Sequence, residues 1–382
     1  MKLEIDLEKF KSAIFKAEKI TGKNLTLQIL NSILFIASGK SLKLRATNLS
    51  LGVDIEIPAK IEREGIAAVP GSFLLNIFSN IQKNDNKSIL LEEVNGNLLI
   101  TTKNNKIKLK SYSHVDFPSI PIVAGESFKI EAKKIIDGIK MVYYSASISD
   151  IKPEYSSVYI YNNENNLIFV STDSFRLAEK KIKIKNNLEN IENLENLGIL
   201  IPFKNITEIL RVFDDVSGEI DVNFTKNQIS FYSSNIYLTS RLIDGIFPDY
   251  TKIIPKDFTT EIIILKQDLL NALKISDIFS DKFHQINILV KPKEKILKLS
   301  NQNINIGDNE TYLDAALSGE DIEFAFNCKY FFDCLQSIST DSISIKLNQF
   351  IDPNTNQYIT KPIVISGVSD PSFTYLIMPM NK

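Results

Sequence analysis

Thr239–Pro255 reads TSRLIDGIFPDYTKIIP, and the fold is decided by how this stretch changes character along its length. Ile236, Leu238, Ser240 and Leu242 alternate as a half-buried strand does, with side chains on opposite faces at every second residue. Asp244-Gly245 is a strong tight-turn pair, and Phe247-Pro248 sends the chain onward in extended form, because a proline disfavours helix at the residue before it. A strand therefore ends here and a connector begins. The expectation is that this connector joins the middle of the chain to its last third and forms one wall of an apolar pocket. A second run, Val170–Ala178 (VSTDSFRLA), is expected beside it.

The exit through proline recurs. DFPSIP ends at Pro121, IFPDYTKIIP at Pro255 and SFTYLIMP at Pro379, spaced by 134 and 124 residues. An amphipathic helix recurs on a similar period: Leu7, Phe10, Ile14 and Ala17 share a face opposite Lys9, Lys16 and Lys19, and comparable faces centre on Ile135, Ile139 and Val142 and on Leu269, Leu270 and Leu273. A second helix type follows a strand-like lead at VPGSFLLNIFSNI, IPFKNITEILRVF and FNCKYFFDCLQSI, with Phe73, Ile77 and Ile81 read as its buried stripe. Alternating segments such as Leu42–Arg45, Val158–Tyr161, Leu167–Val170, Ile229–Tyr232, Ile296–Leu299 and Ile343–Leu347 lie between them. Three features with one period predict an α+β chain of three similar domains, each with two helices packed on antiparallel sheets, bounded at 1–124, 125–257 and 258–382. Asn186–Asn196, rich in Asn and Glu, reads as a loop or short exposed helix.

Composition narrows what such a chain does. At 382 residues with 44% apolar content, it has material for several cores. No apolar run approaches the roughly 18 residues of a membrane helix, and the charged start MKLEIDLEKF is unlike a signal peptide, so a cytoplasmic location is expected with no membrane contact. A net charge of −2 excludes a polycation that coats nucleic acid unaided; contact with DNA must come from local patches. Cys328 and Cys334, six apart in a helical run, fit neither a metal clip nor a disulfide framework and read as core. His114 and His284 have no Cys or His at ligand spacing, and no glycine-rich phosphate loop is present. Asp214-Asp215, Asp85, Asp116, Asp244 and Asp249 all stand in turn contexts, where short acids bond to nearby backbone. Neither a catalytic set nor a metal or cofactor site is expected.

Nine segments in order carry a family resemblance over the whole chain: ATNLSLGVDIEIP, AVPGSFLLNI, DFPSIP, STDSFRLA, ILIPFKNITEILR, TSRLIDGIFPDYTKIIP, FAFNCKYFFDCLQSI, KPIVI and YLIMPM. In them the sequence resembles the bacterial DNA polymerase III beta subunits, the sliding clamps. The resemblance implies the DNA clamp fold. It further implies a head-to-tail homodimer forming a ring of six domains around double-stranded DNA, with helices lining the hole, no enzymatic activity, and no dependence on DNA sequence. Implied partners are the polymerase III alpha subunit, other proteins with a clamp-binding motif, and a clamp loader. Inner-face cations would be Lys9, Lys16, Lys19, Lys23, Lys133, Lys140, Lys204, Arg211 and Lys274. Ile107 and Leu109 would meet Ile278 and Phe279 of a second copy.

In that family, partners insert a short extended peptide into a pocket between the second and third domains. Matching motif by motif assigns to it Tyr155, Thr172, Ser174, Phe175, Arg176, Leu177, Pro248, Lys252, Ile253, Asn327, Tyr330, Pro362, Leu376, Met378 and Met380. Methionine suits such a site, because its unbranched chain repacks around different ligands. This chain departs from the pattern in having Ser174-Phe175 where many relatives have Gly-His, Asn381 where a basic residue is common, and Asn24 where some relatives place a cation. A peptide-binding scaffold with the same fold that does not encircle DNA is the alternative reading.

Overall fold

The structure, a computed structural model, describes residues 1–22, 27–81, 87–184, 197–351 and 358–380. Lys23, Asn24, Asp85, the polar stretch 186–196 and Asn381 lie outside the described residues.

Among the described residues the six expected helices are present: α1 (Leu7–Ile20), α2 (Gly71–Asn80), α3 (Ala132–Lys140), α4 (Phe203–Phe213), α5 (Lys266–Ile278) and α6 (Cys328–Ser337). Each follows directly on a strand, Lys2–Asp6, Gly65–Pro70, Glu126–Glu131, Gly198–Pro202, Thr260–Leu265 and Ile322–Asn327 respectively. The repeat seen in the sequence is thus one strand-into-helix unit used six times. Capping explains several of the switches. Asp6 accepts from the Lys9 amide at 2.9 Å and Asn327 from the Lys329 amide at 2.9 Å, each satisfying a donor that the first turn leaves open. Pro70 and Pro202 hold extended backbone at the starts of α2 and α4.

The helices are short, so their stability comes from the apolar face they bury. Phe10 of α1 sits edge-on to Phe35 at 5.7 Å and to Phe78 at 5.0 Å. That packing corrects the expected stripe of α2. Leu74 and Phe78, four residues apart, are the buried pair, whereas Phe73 is 59% exposed and Ile77 only half-buried; Ile81, just past the helix end, is buried as expected. Two apolar diagonals run along this helix, and only one can face the sheet. Gly138 of α3 is required by a close approach: a Cβ there would lie 2.5 Å from the Phe169 ring.

The chain folds as two compact units, Met1–Ile136 with Asn186–Asp244, and Asp137–Lys185 with Gly245–Lys382. In the first, the strand Ile236–Arg241 pairs antiparallel with Leu51–Arg63, Leu238 opposite Val53, so that one twelve-stranded sheet carries strands of both the first and the middle third. The first exit is tied to this sheet by the Tyr237 hydroxyl, which donates to the Pro121 carbonyl at 3.0 Å and accepts from the Val123 amide at 2.9 Å. In the second unit, Arg176–Lys183 pairs antiparallel with Asp370–Ile377, Leu177 opposite Leu376, joining middle-third strands to last-third strands. A four-stranded sheet in the same unit runs in the order Gly307–Tyr312, Ile296–Asn303, Gln285–Lys291, Ile322–Asn327. Its core includes Phe326 against Phe331 at 4.3 Å, and Cys328 and Cys334 are buried free thiols that desolvation pushes well above the usual thiol range.

Two local expectations need correction. Asp244-Gly245 is a bend in an irregular segment rather than a hydrogen-bonded tight turn, and Asp244 instead pairs with Lys226 at 3.4 Å. The connector is not extended throughout, because Tyr250–Ile253 forms a 3-10 turn. That turn swings Tyr250 inward and leaves Ile253 at the surface.

Candidate functional site

The site lies in the second unit and begins with the turn between the strands Asn166–Thr172 and Arg176–Lys183. Asp173 shapes it: one carboxylate oxygen accepts from the amides of Phe175 at 2.9 Å and Arg176 at 3.0 Å. The Thr172 hydroxyl donates to the Arg176 carbonyl at 2.6 Å and accepts from the Ser174 amide at 3.1 Å. These bonds hold Ser174 at φ 79°, left-handed backbone that glycine adopts without strain and other residues rarely do. The turn is therefore the shape a glycine would take, kept here with a serine. Phe175 at its tip is 61% exposed, and its carbonyl accepts from the Met378 amide at 2.8 Å, which fixes the C-terminal segment beside the turn.

Arg176 anchors the turn from below. Its guanidinium donates to Asp173 at 2.9 Å, to the Tyr144 carbonyl at 2.6 Å and to Asp333 of α6, and it lies 4.6 Å over the Tyr330 ring. A planar fork of five donors suits this three-way attachment, where a lysine would supply only a point charge.

The connector supplies the facing wall. Phe247 stacks on Tyr159 at 5.0 Å, and Tyr159 stacks on Tyr161 at 5.0 Å. Tyr250 is buried and donates its hydroxyl to Glu179; Tyr161 therefore donates to Tyr250, at 2.7 Å, since each hydroxyl has one proton. Glu179 is itself buried and pairs with Lys181 at 3.0 Å. Burial first, and then the Glu179 carboxylate, push Tyr250 far above the usual tyrosine range, so it remains a donor. Tyr250→Phe removes one bond to a buried carboxylate and is expected to lower stability by about 1–3 kcal/mol. An unchanged urea midpoint would show that this chain of hydroxyls does not hold the connector.

Between these walls lies an apolar pocket of about 220 Å³, lined by Tyr155, Thr172, Ser174, Phe175, Arg176, Leu177, Pro248, Asp249, Tyr250, Ile253, Leu376 and Met378. A wider recess of about 710 Å³ adjoins it, lined by Thr251, Lys252, Ile253, Ile254, Pro255, Lys256, Lys361, Pro362 and Met378. Ile253 and Met378 belong to both. Twelve of the fifteen residues expected here line one recess or the other. Three do not. Asn327 caps α6 and donates to the Phe283 carbonyl at 3.1 Å, Tyr330 packs beneath Arg176, and Met380 bonds through its amide to the Ala325 carbonyl at 2.8 Å. Asp249, read as a turn-context acid, and Tyr250, not assigned to the pocket at all, line it as well.

The remaining expected residues are placed as follows. Lys9 and Lys19 are exposed on α1, and Lys19 pairs with Glu18 at 3.0 Å. Lys16 is half-buried and held by Asp215 at 2.5 Å. Lys133 and Lys140 are exposed on α3, Lys204 and Arg211 on α4, and Lys274 on α5; Arg211 pairs with Glu208 at 2.7 Å. Ile107 and Leu109 are half-buried on Lys106–Lys110, the end strand of the twelve-stranded sheet. Ile278 is 62% exposed at the end of α5, with half-buried Phe279 after it. Among the described residues no three His, Cys, Asp or Glu side chains group as metal ligands, and no helix is long and apolar enough to cross a membrane.

Comparison with known proteins bears on the whole chain. Residues 1–121 match the model of the DNA polymerase III beta subunit N-terminal domain, 129–249 that of its central domain and 251–381 that of its C-terminal domain. The chain is 25% identical to the beta sliding clamp of Synechococcus elongatus over 92% of each chain. It is also 25% identical to that of Staphylococcus aureus, over 100% of this chain and 99% of the other. Its fold is that of the Thermotoga maritima DNA polymerase III beta subunit (TM-score 0.89, 22% identity, 100% and 99% covered). The sliding clamp of Bartonella birtlesii bound to griselimycin shares it too (TM-score 0.90, 23% identity, both chains fully covered).

Proposed function

Since the chain belongs to the DNA polymerase III beta-subunit family, we propose that it closes head to tail with a second copy into a six-domain ring around duplex DNA, and that it holds partner proteins through the pocket at Leu177 and Met378. The protein is a sliding clamp, a processivity factor without catalysis of its own. A clamp acts by tethering: once polymerase is attached to a ring that cannot leave the DNA, its return to the primer end becomes intramolecular, and its effective concentration there rises. The domains run 1–124, 125–257 and 258–382, and the ring works in the cytoplasm.

The observation that carries the peptide-binding half is the pocket itself. It is small and apolar, its turn wall is fixed by Asp173 and Arg176, and its rim presents Phe175, Ile253 and Met378 to solvent. Concave apolar sites with a few fixed polar groups are where short ligands bind.

Charge and edge geometry support the ring. Lys106–Lys110 and Gly307–Tyr312 each end a sheet, so each offers an unpaired edge. Lys106, Lys108 and Lys110 are exposed on the first, Asp308 and Glu310 on the second, although Glu310 already pairs with Lys298 at 2.7 Å. Edges of opposite charge, one in each compact unit, suit the pairing of unlike surfaces that head-to-tail closure requires. A net charge of −2, with Lys16, Lys19 and Arg211 each paired to an acid, favours retention by something other than tight phosphate binding. Encirclement supplies it.

Loading onto circular and linear DNA tests this. Binding by phosphate contacts weakens steeply with salt, whereas a threaded ring remains until it opens. Clamp loaded on closed circles is expected to survive a high-salt wash and to leave once the circle is linearised. Equal loss from both forms would rule out topological retention.

A further inference from the structure

The wider recess beside the apolar pocket has a chemistry of its own. Among the described residues its lining includes three lysines, Lys252, Lys256 and Lys361, and no acid. In a chain with 44 cations and 46 anions, that is a local excess of positive charge. The three ammonium groups are not equally free. Lys252 pairs with Asp249 at 2.9 Å, Lys361 lies 5.6 Å from the centre of the Phe350 ring, and Lys256 is exposed with no ion pair among the described residues. Among the described residues Lys256 and Lys361 thus have no carboxylate partner next to an apolar cleft, and Ile253 and Met378 line both cleft and recess.

We propose that the peptides this clamp binds carry acidic residues next to their apolar anchor, with the anchor in the small pocket and the carboxylates in the lysine-lined recess. This rests on the peptide-binding reading of the pocket and adds a ligand class to it. A chain that crosses the shared rim passes directly from an apolar surface to a cationic one, so apolar and acidic residues adjacent in its sequence meet matching walls. The recess is open, and exposed ion pairs are individually weak and screened by salt. The lysines therefore select among apolar peptides rather than supply the main attraction.

The probe is a fluorescein-labelled peptide from the C-terminal tail of the replicative polymerase, extended at both ends by either Glu-Glu-Glu or Gln-Gln-Gln. Its binding to the full-length clamp is followed by anisotropy. At about 50 mM salt the Glu form is expected to bind roughly fivefold more tightly, and at about 500 mM the advantage should vanish. Lys256→Gln with Lys361→Gln should bring the ratio of the two affinities close to one at low salt. Equal affinities for the unsubstituted clamp, or a Glu advantage that survives the double substitution, would overturn the proposal. Failure of both peptides to bind the unsubstituted clamp would instead overturn the pocket reading, and the acidic-flank proposal with it.

Discussion

Replacing Ile278 and Phe279 with alanine is expected to convert the proposed dimer to monomers and to abolish retention on circular DNA. Ile278 closes α5 with 62% of its surface exposed, and Phe279 follows it at the helix end. A large aliphatic side chain held in water at a rigid helix end is the kind of group that a partner surface covers, and a few such anchors dominate most interfaces. Truncating the pair should cost on the order of 2–4 kcal/mol at each interface. A closed ring of two copies contains that interface twice, so the loss is felt at both. Sedimentation at micromolar concentration reads the outcome directly. An arc that cannot close also cannot stay threaded, so the loading assay should fail in parallel. A dimer of undiminished stability would place the interface elsewhere on the chain. Phe73, 59% exposed on α2, would then be the next apolar group of the first unit to replace.

The limits of the sequence reading follow from what periodicity encodes. Six helices, three of them with a strand-like lead, were legible because each holds its pattern within about 20 residues; the caps Asp6 and Asn327 stand in that window too and were not read. Which face of α2 is buried was not legible. Phe73 and Ile77 form one apolar diagonal, Leu74 and Phe78 another, and the choice depends on Phe10 and Phe35, distant in sequence. The sharing of sheets between thirds was invisible for the same reason, since Leu238 opposite Val53 is a pairing across 185 residues. At the site, the segment Ser171–Ala178 was readable because its turn is made by its own side chains, Thr172 and Asp173. The 3-10 turn at Tyr250 was not, because it is held from outside by Glu179 and Tyr161. Asn327 and Met380 follow the same logic in reverse. Their motifs lie close to pocket motifs along the chain, while their bonds go to Phe283 and Ala325.

Met378→Ala combined with Ile253→Ala is expected to abolish capture of polymerase-tail peptides while leaving the ring intact. Both residues line the apolar pocket and the basic recess alike, and both are partly exposed, Met378 at 41% and Ile253 at 48%. Leu177 lines the same pocket but is fully buried, paired across the sheet with Leu376, so its truncation would cost about 2–5 kcal/mol of folding stability and confuse the result. Met378 and Ile253 avoid this, because exposed side chains contribute little to the core. Short peptides depend on a few buried anchors, and removing one wall should cost about 1–3 kcal/mol, roughly 5- to 150-fold in affinity. Losing both sides of the rim is expected to bring binding below detection at micromolar protein. Neither residue lies at the proposed dimer ends, so sedimentation and loading on circular DNA should match the unsubstituted clamp. The combination is what discriminates: a variant that still loads but no longer binds peptide separates tethering from encirclement. A correctly folded variant with unchanged peptide affinity would mean that partners dock on another surface, and that the pocket beneath Phe175 has a different occupant.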